Sequence, residues 1–90
     1  MSMNLERWQK FSKKEQIGHI ASEILRANLM TDKNSSVFFQ IIERAIELVD
    51  ISLSDEKWKE NPLPLLVLRN ELAKVYIKET KNLDELYAAL

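Results

Sequence analysis

SVFFQIIERAIELVDISL, residues 36–53, runs from Ser36 to Leu53 without a glycine or a proline and without the alternation of a strand. On a helical wheel Phe38, Ile41, Ile42, Ala45, Ile46, Leu48 and Val49 share one arc of roughly 200°. Gln40, Glu43, Arg44, Glu47 and Asp50 fill the remaining polar strip. A helix packed on one side needs a stripe of only about 100°. This stretch therefore predicts a helix with neighbours on two sides, the centre of a helical bundle.

The residues on either side support that reading. Upstream, Thr31-Asp32-Lys33-Asn34 is a polar connection, and Asn34 or Ser35 can cap the central helix. Ser12 followed by Glu15 is a capping box that opens a helix over Lys13 to Leu29. Its apolar stripe is Ile17, Ile20, Ala21, Ile24, Leu25 and Ala27, with Glu15, His19, Ser22, Glu23 and Arg26 opposite. Asn4 caps a short helix from Leu5 to Phe11 whose Leu5, Trp8 and Phe11 share a face. Downstream, Ser54 caps a short turn holding Trp58. Asn61 then caps a helix to Glu79, with Pro62 at its first position and Pro64 still in the tolerated first turn. Asn82 with Glu85 repeats the capping logic and begins a terminal helix carrying Leu83, Leu86, Tyr87 and Leu90.

One glycine, two prolines and no cysteine in ninety residues leave little to break helices or shape strand turns. The expectation is one all-α domain over residues 1–90. It is an up-down-up bundle of three long helices, with short flanking helices at the N-terminus, before the last long helix and at the C-terminus. Trp8 and Trp58 each sit in a short capped piece ahead of a long helix.

Bulk chemistry excludes several functions. Without cysteine there is no thiol nucleophile, thiolate zinc site or disulfide, which fits a cytoplasmic setting. No apolar run approaches the roughly 18 residues of a membrane span, and the opening MSMNLERWQKF lacks the pattern of a signal peptide. The net charge of −1 provides no global field toward nucleic acid or anionic lipid. The first thirty residues are net +2 and the next thirty −3, as expected of neighbouring helices with complementary faces.

Few residues suggest chemistry. Glu15, His19 and Glu23 lie four apart on one helix face with Arg26 beside them, a weak candidate polar site whose spacing is one residue longer than the Glu-x-x-His of di-iron bundles and whose residues a solvated face with ion pairs explains better. Glu43, Glu47 and Asp50 form a carboxylate row, but no second histidine exists to complete a nitrogen-rich metal site. Arg7, Lys10, Lys13 and Lys14 cluster near Trp8 and Phe11, a small footprint for single-stranded nucleic acid. His19 is the only histidine, and the nearest upstream arginine, Arg7, is twelve residues away. Gly18 and Ser22 at the edge of a stripe suggest close approach of a neighbour, since glycine costs about 1 kcal/mol in a helix interior.

Two polar residues interrupt apolar arcs: Asn28 in the second helix and Arg69 in the last. Leu65, Leu68, Leu72, Ala73 and Tyr76 set the direction of the last arc and place Arg69 in its middle, where a guanidinium needs an acidic partner or a route to water. The functional expectation is a non-enzymatic interaction module with no cofactor and no metal, a homodimer or bound to a protein partner. Its candidate interface is Phe39, Ile46, Leu53 and Arg69. The alternative is a nucleic-acid-binding regulator or small nuclease-like enzyme using His19, Arg26 and the basic N-terminal cluster.

Overall fold

Ser35 opens the central helix as expected: its hydroxyl accepts the backbone N–H of Phe38 at 3.1 Å, and the helix runs Ser36–Leu53. In a computed structural model describing residues 4–77, the elements are α1 (Leu5–Trp8), α2 (Lys13–Asn28), α3 (Ser36–Leu53), a 3-10 turn (Glu56–Trp58) and α4 (Leu63–Tyr76). No strand occurs among the described residues. The expected terminal helix from Asn82 and the end of the last long helix at Glu79 lie outside them.

The caps explain most of the boundaries. Ser12 accepts the Glu15 N–H at 3.1 Å while the Glu15 carboxylate accepts the Ser12 N–H at 2.9 Å, closing the capping box of α2. Asn4 caps α1, which stops at Trp8 rather than continuing to Phe11. After α2, the Lys33 ammonium donates to the carbonyls of Asn28 and Met30 at 2.8 and 2.7 Å. It thus satisfies orphan acceptors at the negative end of the helix. Two expected caps differ. Asp55, not Ser54, caps the 3-10 turn by accepting the Lys57 N–H at 3.0 Å. Pro62 rather than Asn61 occupies the N-cap of α4, with no side-chain hydrogen bond there.

α3 packs against α2 and α4, and also meets α1 and the 3-10 turn. Its wide apolar arc is thus used within the chain. Phe38, Ile42, Ala45 and Val49 are buried, and Phe39, Ile46, Ile51 and Leu53 are half-buried against the same core. Ile20, Ile24 and Ala27 enter from α2, and Leu65, Leu68, Leu72 and Val75 from α4. Trp8 and Trp58 close the core near the C-terminal end of α3.

Three expectations need correction. The buried stripe of α2 is Gln16, Ile20, Ile24 and Ala27, so the helix is rotated away from Leu25, which is 37% exposed. Gly18 faces outward, and a Cβ added there meets nothing within 4 Å, so no close approach requires the glycine. Arg69 is exposed rather than aimed into the core, and its guanidinium grips the Asp50 carboxylate of α3. α4 carries apolar residues on two faces, so the centre of its apolar arc is not the centre of its buried stripe.

Candidate interaction surface

Gln16 is the pivot of a buried polar hub. Its amide nitrogen donates to the Trp8 carbonyl at 3.0 Å and to Asp55 Oδ2 at 2.8 Å, with a longer contact of 3.3 Å to the Phe11 carbonyl. Its amide oxygen accepts the Trp58 indole N–H at 2.7 Å. The Trp8 indole donates to Ser52 Oγ, which in turn donates to the Leu48 carbonyl, both at 2.7 Å. Lys57 completes the hub, its ammonium reaching Asp55 Oδ2 at 3.0 Å and the Gln9 carbonyl. Gln16 and Ser52 are fully buried, and every buried side-chain polar atom among the described residues has a partner. Burial alone would raise the Asp55 pKa. The Lys57 backbone N–H, the Gln16 amide and the Lys57 ammonium outweigh it and hold the carboxyl below its usual range.

A network so completely satisfied holds elements together rather than receiving a ligand. It fastens two short tryptophan-bearing pieces, distant in sequence, onto α2 and α3. Sequence reasoning missed Gln16, Ser52 and Asp55. The available signal was spacing: Gln16 precedes Ile20 by one helical turn and Ile24 by two.

The weak polar site does not converge. The Glu15 carboxylate is committed to the Ser12 N–H, and that hydrogen bond lowers its pKa. Glu23 pairs with Arg26 at 3.0 Å and with Arg44 of α3 at 3.5 Å. The exposed His19 ring lies 4.6 Å from the Phe11 ring and 5.7 Å from that of Trp8. Among the described residues no group of three or more acidic or histidine side chains is placed to hold a metal. In the basic N-terminal cluster Trp8 is buried and the Lys13 ammonium sits 5.0 Å over the Trp58 ring, so neither indole is free to stack on a base.

The candidate interface residues line the α3–α4 seam. The Phe39 ring meets the Tyr76 ring edge-on at 5.7 Å, and the Tyr76 hydroxyl donates to Glu43, which raises the tyrosine pKa. Ile46 lines a shallow groove with Glu43, Glu47 and Tyr76. Leu53 is half-buried and Arg69 is held by Asp50. The more exposed apolar surface lies on the far side of α4. Leu63 is 63% exposed, Leu66 47%, Val67 53% and Ile77, just past the helix, 62%. At 100° per residue these four gather opposite the buried stripe of Leu65, Leu68, Leu72 and Val75.

No protein-family model, no curated protein and no solved structure matches this chain. Among the described residues no helix is long and apolar enough to cross a membrane.

Proposed function

We propose that this chain is a non-enzymatic helical interaction module that associates with a second copy of itself. One observation carries the reading: α4 is apolar on two opposite faces, and among the described residues only one of them is packed. Leu63, Leu66, Val67 and Ile77, left about half to two-thirds exposed beside one another, favour a protein surface that covers them. The candidate interface residues Phe39, Ile46, Leu53 and Arg69 lie at the α3–α4 seam, apart from that face. The engagement of Glu15, Glu23 and Trp8 in structural contacts favours this reading over the nucleic-acid or nuclease alternative built on His19, Arg26 and the basic cluster.

The same proposal includes an up-down-up course for the three long helices. Asp50 with Arg69 and Glu43 with Tyr76 support its α3–α4 part, because taken together they set the later α3 position against the earlier α4 position, as in an antiparallel pair. A cytoplasmic setting, supported by the lack of cysteine, also belongs to it. Sedimentation of the full chain over a range of concentrations tests the association. The expected result is a mass rising from monomer to dimer in the micromolar range, and a monomer at high micromolar concentration would sink the reading.

A further inference from the structure

The groove between α3 and α4 carries charge that no described cation balances. Glu43, Ile46, Glu47 and Tyr76 line it, and the Phe39 ring meets the Tyr76 ring beside it. The Glu43 carboxylate accepts the Tyr76 hydroxyl, a neutral donor. Arg44, the one cation of α3, is paired with Glu23 of α2 at 3.5 Å. On α4, Arg69 is held by Asp50, and Lys74 lies 3.5 Å from Glu71. Among the described residues no ion pair reaches Glu43 or Glu47, and Ile46 between them is only half-buried.

The sequence that follows α4 supplies both kinds of complement. Tyr76, which lines the groove, is the last residue of α4, so Lys78 lies within about 7 Å of it along the chain. Lys78 and Lys81 offer two cations to the two carboxylates. Leu83, Leu86, Tyr87 and Leu90 follow as an apolar stripe, opened by Asn82 with Glu85. Connections of about 2–8 residues join neighbouring helices in bundles, and residues 78–81 are long enough to turn the chain back. A segment turned back there runs beside α3 from Glu43 toward Leu53. That stretch of α3 is about 15 Å long, and residues 82–90 as a helix are about 13.5 Å long.

We infer that residues 78–90 of the same chain dock in the α3–α4 groove. Lys78 and Lys81 face Glu43 and Glu47, while the apolar stripe covers Phe39, Ile46 and Leu53. The tether selects this occupant over a second copy. A segment on so short a connection meets the groove at an effective concentration in the millimolar range, above that of a free chain at micromolar concentration. The docked segment gives α3 a third neighbour along the edge that α2 and α4 leave half-buried. This groove lies apart from the outer face of α4, so the docking does not rest on the self-association proposed above.

The absence of cysteine permits a direct test in the full chain. Packed helices lie about 8–10 Å apart, which brings facing side chains within disulfide reach. With Ile46→Cys and Leu86→Cys together, mild oxidation is expected to close a disulfide within one chain, read as loss of both thiols at monomer mass. The control pair, Gly18→Cys with Leu86→Cys, places one thiol on the outward face of α2 and should stay reduced over the same time. Adding Glu47→Lys to the first pair is expected to slow closure several-fold, and adding Lys81→Glu as well should restore it.

Closure no faster than in the control would overturn the docking. A disulfide joining two chains would place a second copy in the groove and overturn it equally. Failure of Lys81→Glu to restore the rate would overturn the charge pairing that positions the segment. Sedimentation of the unmodified chain reads self-association separately, so a monomer there would remove the earlier reading and leave this one standing.

Discussion

The hub around Gln16 and the outer face of α4 handle opposite kinds of surface in opposite ways. At the hub, polar groups are taken out of water and each is given a partner inside the chain: two indoles, an amide, a hydroxyl, a carboxylate and an ammonium. At α4, Leu63, Leu66, Val67 and Ile77 are left about half to two-thirds exposed. The first arrangement is internally complete and rigidifying. The second leaves apolar surface exposed among the described residues, which is what the proposed association would bury. The difference teaches where to look for function: the satisfied interior accounts for architecture, and the exposed apolar face is the place to test the proposed association.

The largest effect is expected from breaking the hub at its pivot. Gln16→Leu keeps approximate volume but strands the Trp58 indole and removes a donor from Asp55. With more than one buried group left unpaired, the loss should be about 3 kcal/mol or more, read as a drop in the denaturation midpoint. A midpoint within error of the parent would show that water replaces these bonds and that the hub is not closed.

Next comes Asp55→Asn, which takes a charged acceptor from Gln16 and Lys57 and should cost about 1–3 kcal/mol at neutral pH. The carboxyl is depressed in the folded state, so its contribution is complete above the unfolded carboxylate pKa. It is lost as pH falls through the lower folded value. The parent should therefore lose stability on acidification more steeply than the variant, in melts compared between neutral and strongly acidic buffer. Parallel curves would contradict the assignment.

Gly18→Ala tests the solvent-facing side of the hub's own helix. With space around the added methyl and a helical backbone, the change should stabilise by about 0.5–1 kcal/mol. Destabilisation would mean that this face of α2 is packed after all.

The smallest effect belongs beside α4. Arg69 and Asp50 are each close to half exposed, and such pairs contribute about 0–1 kcal/mol. Arg69→Ala should barely move the melting temperature. A large loss would restore the buried arginine that the apolar arc implies and bring α4 closer in character to the hub.

Much of the helical layout is legible in the sequence because it depends on local chemistry. Ser12 with Glu15, Ser35 and Asn4 announce their helices through short-range hydrogen bonds, and these caps form where the spacing places them. The start of α4 was misread because an Asn-Pro pair fits two adjacent registers and no side-chain bond there decides between them. The hub was not legible, since nothing local distinguishes a buried glutamine from an exposed one. The candidate polar site looked plausible for a similar reason: residues four apart share a face, but whether they meet a second helix is a long-range question.

By itself, then, the sequence determined the helical class, the starts of α1, α2 and α3, and the two-sided burial of α3. Periodicity and capping act within a turn or two of chain and need no knowledge of the neighbours. Only the tertiary structure decided the rotation of α2 that buries Gln16, the release of Arg69 to Asp50, and which of the two apolar faces of α4 packs inward. Each of these depends on what lies opposite a side chain across a helix interface. A wheel gives the direction of every side chain on a helix but not which direction meets protein and which meets water.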